Sequence, residues 1–348
     1  MSTARSIASS SGSSSTRTAE RKLNTPPSFV TEAQRTLLYF RAVDADDPES
    51  ILGDIYAKQL INKIPLDIVD TMGQDLRYVK FWCLRARRID QWVRAFMAEH
   101  PECTVVNLSC GLDTRNERLQ PPASVRWFDV DHPEVMDFRR RVLSHPSGDY
   151  RTTAVDIADD DTSWIYAFPK DRPTLVVAES NMFYLKPGIA KGIFYTVADH
   201  FSQGGQIAFD VLGSMCAALI NMKMATAQKN SGMKILWPVD DPRSVAKIHP
   251  DLRVMDEMRY SDDMPPWFGE FKTKLLRMLP AYRNLGRVIL LSFSEENRNM
   301  PQQEDRPSTS YLAGDSSSSH YTSSSGRGFS SISLSRSSTF TTLTEPHQ

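Results

Sequence analysis

At 348 residues, 40% hydrophobic and 24% charged, the chain has an ordinary globular composition and length for one large domain or two small ones. With 41 Lys+Arg against 42 Asp+Glu, it carries no overall field to draw it to nucleic acid or an anionic membrane, and neither is expected as a partner. No run reaches the ~20 apolar residues of a membrane helix and no secretory apolar region follows Met1, so a cytoplasmic setting is expected.

In chain order, residues 1–27 are serine-rich without apolar periodicity and read as a disordered tail. The acid-free, Arg5- and Arg17-bearing stretch 1–18 leaves a transit peptide as the alternative. Residues 31–43 and 51–64 place apolar side chains at helical spacing, and 78–99 is a longer amphipathic helix stopped by His100-Pro101. Together they predict a helical cap over 28–100. Residues 103–108 form a short buried-strand run that turns at Ser109-Cys110-Gly111, and 125–130 is a second strand before a helix opening at Pro133. Further strands are expected at 151–155, 174–178 and 206–211, with a helix over 188–201 between the last two. Strands at 252–258 and 287–293 flank a helical 268–279. Short strands alternating with helices predict an α/β, Rossmann-like, mainly parallel doubly wound sheet over 101–294. Residues 295–348 return to serine runs and read as a second disordered tail. Cys83, Cys103, Cys110 and Cys216 form neither a CxxC pair nor a zinc-ligand spacing, so they read as reduced thiols and no metal is expected.

The first strand-to-helix turn carries the strongest chemical signal. In a parallel α/β sheet, ligands bind beyond the carboxyl ends of the strands. Gly111 lets backbone approach a ligand there, and about 20 residues on, the second strand ends in Phe128-Asp129-Val130-Asp131. An acidic side chain at that place accepts the hydroxyls of an adenosine ribose. A nicotinamide cofactor would need GxGxxG for its pyrophosphate, whereas only Gly111 is present and Asp113 sets a negative charge in its place. S-adenosylmethionine, phosphate-free and bearing a sulfonium cation, suits an acidic site better. A nicotinamide-dependent oxidoreductase is the rival reading.

Five stretches, 84–90 (LRARRID), 105–115 (VVNLSCGLDTR), 128–135 (FDVDHPEV), Val155-Asp156 and 177–185 (VAESNMFYL), resemble in order and spacing the leucine carboxyl methyltransferase family, within it the polyketide-pathway, tetracenomycin-type O-methyltransferase branch. The resemblance spans about residues 51–294. It implies a class I methyltransferase using S-adenosylmethionine on a hydroxyl or carboxyl of a small, aromatic or polyketide-like acceptor. It also implies roles: Arg85 gripping the methionine carboxylate, Gly111 under the ligand, Asp131 on the ribose with Asp129 in reserve, and Asp156 with Ile157 facing the adenine. Glu179 would stand near the methionine amine and the substrate mouth, with Tyr184 on the lip. The family has glycine where this chain has Ser109 and Ser180, which is expected to weaken cofactor binding without abolishing it.

A carboxylate acceptor needs no general base, while a phenol with a pKa near ~10 would gain from one. His132, His200 and His249 read as turn, surface or capping residues instead. The acceptor pocket is expected between the N-terminal helices and the insert 212–251, with Met215, Met222, Met224, Met233 and Trp237, and the nearby segment 265–268. A protein C-terminal carboxyl methyltransferase and a non-catalytic cofactor-binding scaffold stay open. No oligomeric state is implied.

Overall fold

The computed structural model describes Pro26 and residues 32–64, 76–144, 146–226, 234–263 and 270–299. The expected tails at 1–25 and 300–348, the transit-peptide alternative, Met233 and the segment 265–268 lie outside these residues, as does the side chain of Met224.

Seven strands form one sheet: β1 (Thr104–Leu108), β2 (Arg126–Asp131), β3 (Asp149–Ala154), β4 (Thr174–Ala178), β5 (Gly205–Leu212), β6 (Leu252–Arg259) and β7 (Gly286–Phe293). Their order is β3-β2-β1-β4-β5-β7-β6. Strands β1 to β5 pair in parallel, and β7 runs antiparallel between β5 and β6. This is the mainly parallel, Rossmann-like α/β sheet expected from the alternation of elements, and the two late strands close it. The chain reverses its winding between β1 and β4, and a crevice opens at that switch point.

The sheet is covered on both faces, and its central strands are buried at every position, five of five in β1 and in β4. On one face Val105, Trp127, Leu175 and Val177 pack against Ile89, Trp92, Val93 and Phe96 of α3 (Leu76–Glu99). On the other, Val106, Val130, Val176 and Phe209 pack against Ile189, Ile193, Phe194 and Val197 of α6 (Pro187–His200). The long helix α3, expected as part of the cap, is therefore one of the two layers that sandwich the sheet. Its apolar residues recur every three to four positions, so one stripe faces the strands.

The cap proper is α1 (Glu32–Asp44) and α2 (Ile55–Ile61), whose Leu38 and Leu60 share a small core with Leu112 and with Val135, Phe138 and Val142 of α5 (Pro133–Val142). The helix expected over 51–64 begins only at Ile55, because Asp54 caps it by accepting the Ala57 N–H at 2.9 Å. Between β1 and β2 stands a helix of barely one turn, α4 (Arg115–Leu119).

The insert after β5 forms α7 (Ser214–Thr226) and α8 (Arg243–Ala246), followed after β6 by α9 (Tyr260–Asp263), α10 (Glu270–Leu276) and α11 (Pro280–Arg283). Past β7 a 3-10 turn, Glu295–Asn299, packs back: Asn297 donates to the Asp251 carbonyl at 2.8 Å and to Ser292 at 3.1 Å. Packed chain thus runs beyond 294, where the second tail was expected to begin. No helix among the described residues is long and apolar enough to cross a membrane.

Candidate functional site

The crevice is built on two clamps. Beyond β1 the chain turns through Ser109, at φ 49°, and Gly111, at φ 50°. The Gly111 N–H then donates to Asp131 Oδ2 at 2.6 Å, and the His132 N–H to Asp131 Oδ1 at 2.7 Å. Two backbone amides thus fix the carboxylate that ends β2. Burial raises its pKa, against the pull of those two bonds. Asp131 lines the crevice together with Asp156, Ile157, Glu179 and Tyr184, so five of the residues singled out in the sequence meet in one cleft.

Three others do not line it. Gly111 sits one residue behind the lining, and a Cβ there would lie 2.7–2.9 Å from the Gln34 side chain. The glycine serves the left-handed turn and the clamp on Asp131.

Asp129 is 1% exposed. It accepts from Asn107 at 3.1 Å, Trp127 Nε1 at 2.9 Å, Tyr150 at 2.8 Å and the Arg139 guanidinium. Its acceptor capacity is spent inside the fold, which corrects its reserve role on the ribose. Arg139 in turn donates to the Gly111 and Asp113 carbonyls, both at 2.8 Å, and so ties Asp129 to the turn.

Arg85 does not line the cleft either. It is wholly buried behind the cleft, where it donates to Glu179 at 2.6 Å, to Asp210 at 2.8 Å and to the Ser180 hydroxyl, and stacks on Trp82 at 4.4 Å. Its two terminal nitrogens are taken by the carboxylates and the serine, and its Nε, though without a partner, is buried, so no part of the fork lines the cleft. The guanidinium that does line the cleft is Arg41 of α1, 2.6 Å from Asp113 and 3.1 Å from Glu179. Sequence reasoning missed it. The available signal was a charged residue inside the apolar run 37–43, which buries only if paired.

Arg41 belongs to a larger cluster. Arg115, 0% exposed, joins Asp90 at 2.7 Å, Asp113 at 2.8 Å and Glu179. Arg118 joins Asp90 at 2.7 Å, Asp113 at 2.9 Å and Asp54 at 3.1 Å. Burial alone would raise the Asp113 and Glu179 carboxyls. Arg115, Arg41 and Arg118 outweigh it for Asp113, and Arg85, Arg41 and Arg115 for Glu179, so both lie well below the ordinary carboxylate range.

The charge at Asp113 is not the bare negative charge that its place in the sequence suggests. Asp113 is neutralised by three guanidiniums, so it does not repel a pyrophosphate by bare charge. What disfavours a dinucleotide is the commitment of the turn's own Gly111 N–H to Asp131, and a five-residue α4 in place of a long helix offering its N-terminus.

The serines that replace the family's glycines both adopt left-handed backbone, Ser109 at φ 49° and Ser180 at φ 59°. Glycine takes that conformation at little cost, and serine only under constraint from its surroundings.

The histidines have structural partners. His132 caps α5, His200 bonds the Phe168 carbonyl at 2.8 Å, and His249 accepts the Asp251 N–H at 3.2 Å. Burial pushes the Tyr184 phenol up to about 12. All four cysteines are free thiols, and no group of three or more metal-ligating side chains occurs among the described residues. Trp237 is core, packed on Phe194 at 5.7 Å, while Met215 and Met222 of α7 are exposed, so none of the three lines the cleft.

The cleft fits a phosphate-free adenosine better than a dinucleotide: its rim presents a fixed carboxylate and no uncommitted turn amide from Gly111. The leucine carboxyl methyltransferase model matches residues 36–198. The tetracenomycin polyketide synthesis O-methyltransferase TcmP of Streptomyces glaucescens is 31% identical over 274 residues, covering 76% of this chain and 97% of that protein. The S-adenosyl-L-methionine-dependent methyltransferase dpfgK of Gibberella zeae is 31% identical over 287 residues, covering 74% and 93%. Among solved structures, a DUF574 family protein from Streptomyces avermitilis aligns with a TM-score of 0.49 at 13% identity, over 76% of this chain and 97% of that one. The chain belongs to the leucine carboxyl methyltransferase family, and it is an S-adenosylmethionine-dependent methyltransferase.

Proposed function

We propose that the chain methylates an oxygen, a hydroxyl or a carboxyl, of a small aromatic or polyketide-like molecule. The observation that carries this reading is the 31% identity with a polyketide O-methyltransferase across 97% of that protein's length. In the proposed site Asp131 accepts the ribose hydroxyls, Asp156 and Ile157 face the adenine, and Arg41, in place of Arg85, receives the methionine carboxylate. Glu179 stands at the methionine end, and Tyr184 borders the mouth. When bound, the cofactor supplies a methyl group on a positively charged sulfur, an electrophile needing no activation by the protein.

The chain's share is then orientation and exclusion of water. Glu179 is a poor base, because three guanidiniums hold it ionised. Tyr184, its pKa pushed up to about 12, stays protonated at neutral pH. The site therefore suits an acceptor whose oxygen is already ionised or weakly acidic, such as a carboxylate or an activated phenol.

The test is tritiated-methyl transfer from S-adenosylmethionine into a small-molecule extract and, separately, into protein. Label in the extract supports the proposal. Label only in protein would replace it with a protein carboxyl methyltransferase, and label in neither, despite cofactor binding, with a scaffold.

A further inference from the structure

Asn181 follows Glu179 and Ser180 off the end of β4 and lines the cleft at 6% exposure. Its Nδ2 donates to the Leu108 carbonyl at 2.7 Å. That bond fixes which way the amide faces, since the flipped form would set oxygen against oxygen. It leaves Oδ1 buried with no donor. Among the described residues, no other side chain lining the cleft has a buried polar atom without a partner. Proteins rarely leave a buried acceptor unmet, and a ligand arriving with a donor would relieve it.

The chemistry of that donor follows from the neighbours. Glu179 already accepts from Arg41, Arg85 and Arg115, and Asp113 from Arg41, Arg115 and Arg118. The Leu108 carbonyl is engaged by Asn181 itself. A cationic N–H donor entering between β1 and β4 thus finds its carboxylates shared among guanidiniums, and one buried side-chain acceptor without a partner. The adenosine end, at Asp131 and Asp156, stands off β2 and β3 on the far side of β1.

We propose that Asn181 Oδ1 accepts a hydrogen bond from the α-ammonium of the cofactor's methionine moiety, an assignment that rests on the S-adenosylmethionine reading of the cleft. Asn181 then does two things with one amide: it ties the ends of β1 and β4 together, and it sets the amine, hence the sulfur, over their junction.

The test uses calorimetry on the full chain, wild type and Asn181→Leu, a near-isosteric change. The two ligands are S-adenosylhomocysteine and its deaminated analogue, which keeps the carboxylate and the adenosine. Wild type is expected to bind S-adenosylhomocysteine at least tenfold tighter than Asn181→Leu does, as for loss of a hydrogen bond to a charged group. The deaminated analogue should bind both proteins within about twofold, because no ammonium is left to lose. Equal weakening of both ligands would assign Asn181 to holding the Leu108 loop alone and overturn the proposal. Unchanged S-adenosylhomocysteine affinity in Asn181→Leu would overturn it too. A wild type that binds no S-adenosylhomocysteine would instead bring down the reading of the cleft, and this assignment with it.

Discussion

Glu117 stands on the short helix α4 with both carboxylate oxygens buried and without hydrogen-bond partners. Burial pushes its pKa up to about 7, only partly opposed by the attraction of Arg139 and reinforced by Asp129. An unfolded chain titrates the same group near 4.5. At roughly 1.4 kcal/mol per pH unit, the difference is worth about 3 kcal/mol as an upper bound. Below about pH 4.5 the carboxyl is protonated in both states, and that contribution is fully present. Between there and about pH 7 the unfolded chain has released the proton and the folded one retains it, so stability falls as pH rises. Above about pH 7 the loss is complete. Glu117→Gln removes the titration while keeping the shape. Urea unfolding of both proteins at pH 5 and pH 8 should show wild type losing about 2–3 kcal/mol more than the variant across that interval. A pH-independent difference added to that divergence would not bear on the conclusion, because only the pH-dependent part belongs to the carboxyl. Parallel stability profiles from pH 5 to 8 would refute the reasoning and place Glu117 in contact with water.

Three further predictions separate ligand-facing from structural roles. Asp131→Asn should weaken S-adenosylhomocysteine binding about tenfold or more by calorimetry, through a lost charge-assisted bond, with a small change in melting temperature. Asp129→Asn, which strands the buried Arg139, should instead cost about 3–5 kcal/mol of stability in a denaturant titration; the opposite ranking would restore Asp129 as the ribose ligand. Arg41→Ala should lower cofactor affinity in a chain that still folds, since Asp113 and Glu179 keep other guanidiniums, while Arg85→Ala should destabilise by about 3–5 kcal/mol in thermal or urea unfolding. Ser109→Gly should raise stability by about 0.5–1 kcal/mol by relieving its left-handed backbone. Ser180→Gly should come out near zero in the same melts, because it also loses the hydroxyl bonded to Arg85.

What was legible in the sequence was local. The apolar run of β1, the glycine after it and the acid that ends β2 are near-neighbour patterns, and they set the sheet and the crevice. Choosing between Asp129 and Asp131 was harder, because residues two apart on a strand share a face. The sheet register decides it: Asp129 pairs with Asn107 inside the sheet, while Asp131 lies past Leu108, the last residue of β1. Arg85 and Arg41 were not legible for a different reason. Each is an arginine on an amphipathic helix, and only the packing of α1 over the cleft and of α3 beneath the sheet determines which one a ligand can meet. Ser109 and Ser180 could be flagged through the family's glycines, but their left-handed backbone is a property of the turns, which serine does not announce.

The ionic cluster bears on why this cleft accepts a cationic ligand. Arg41 from α1, Arg85 from α3 and Arg115 and Arg118 from α4 meet Asp54, Asp90, Asp113, Glu179 and Asp210, four guanidiniums against five carboxylates. Burial raises the Asp210 carboxyl despite Arg85, so the cluster carries either one surplus negative charge or none. It never carries a surplus positive one while its carboxylates stay ionised. An anionic phosphate would therefore find every guanidinium already matched, and would have to strip a buried carboxylate to bind. In the proposed site a ligand whose charged end is zwitterionic faces a milder exchange, its carboxylate sharing Arg41 and its cation replacing part of the charge thereby diverted from Asp113 and Glu179. Because Arg41 rides on the cap while Asp113 and Glu179 stand on the sheet's turns, the proposed exchange would make ligand binding and the seating of α1 a single equilibrium.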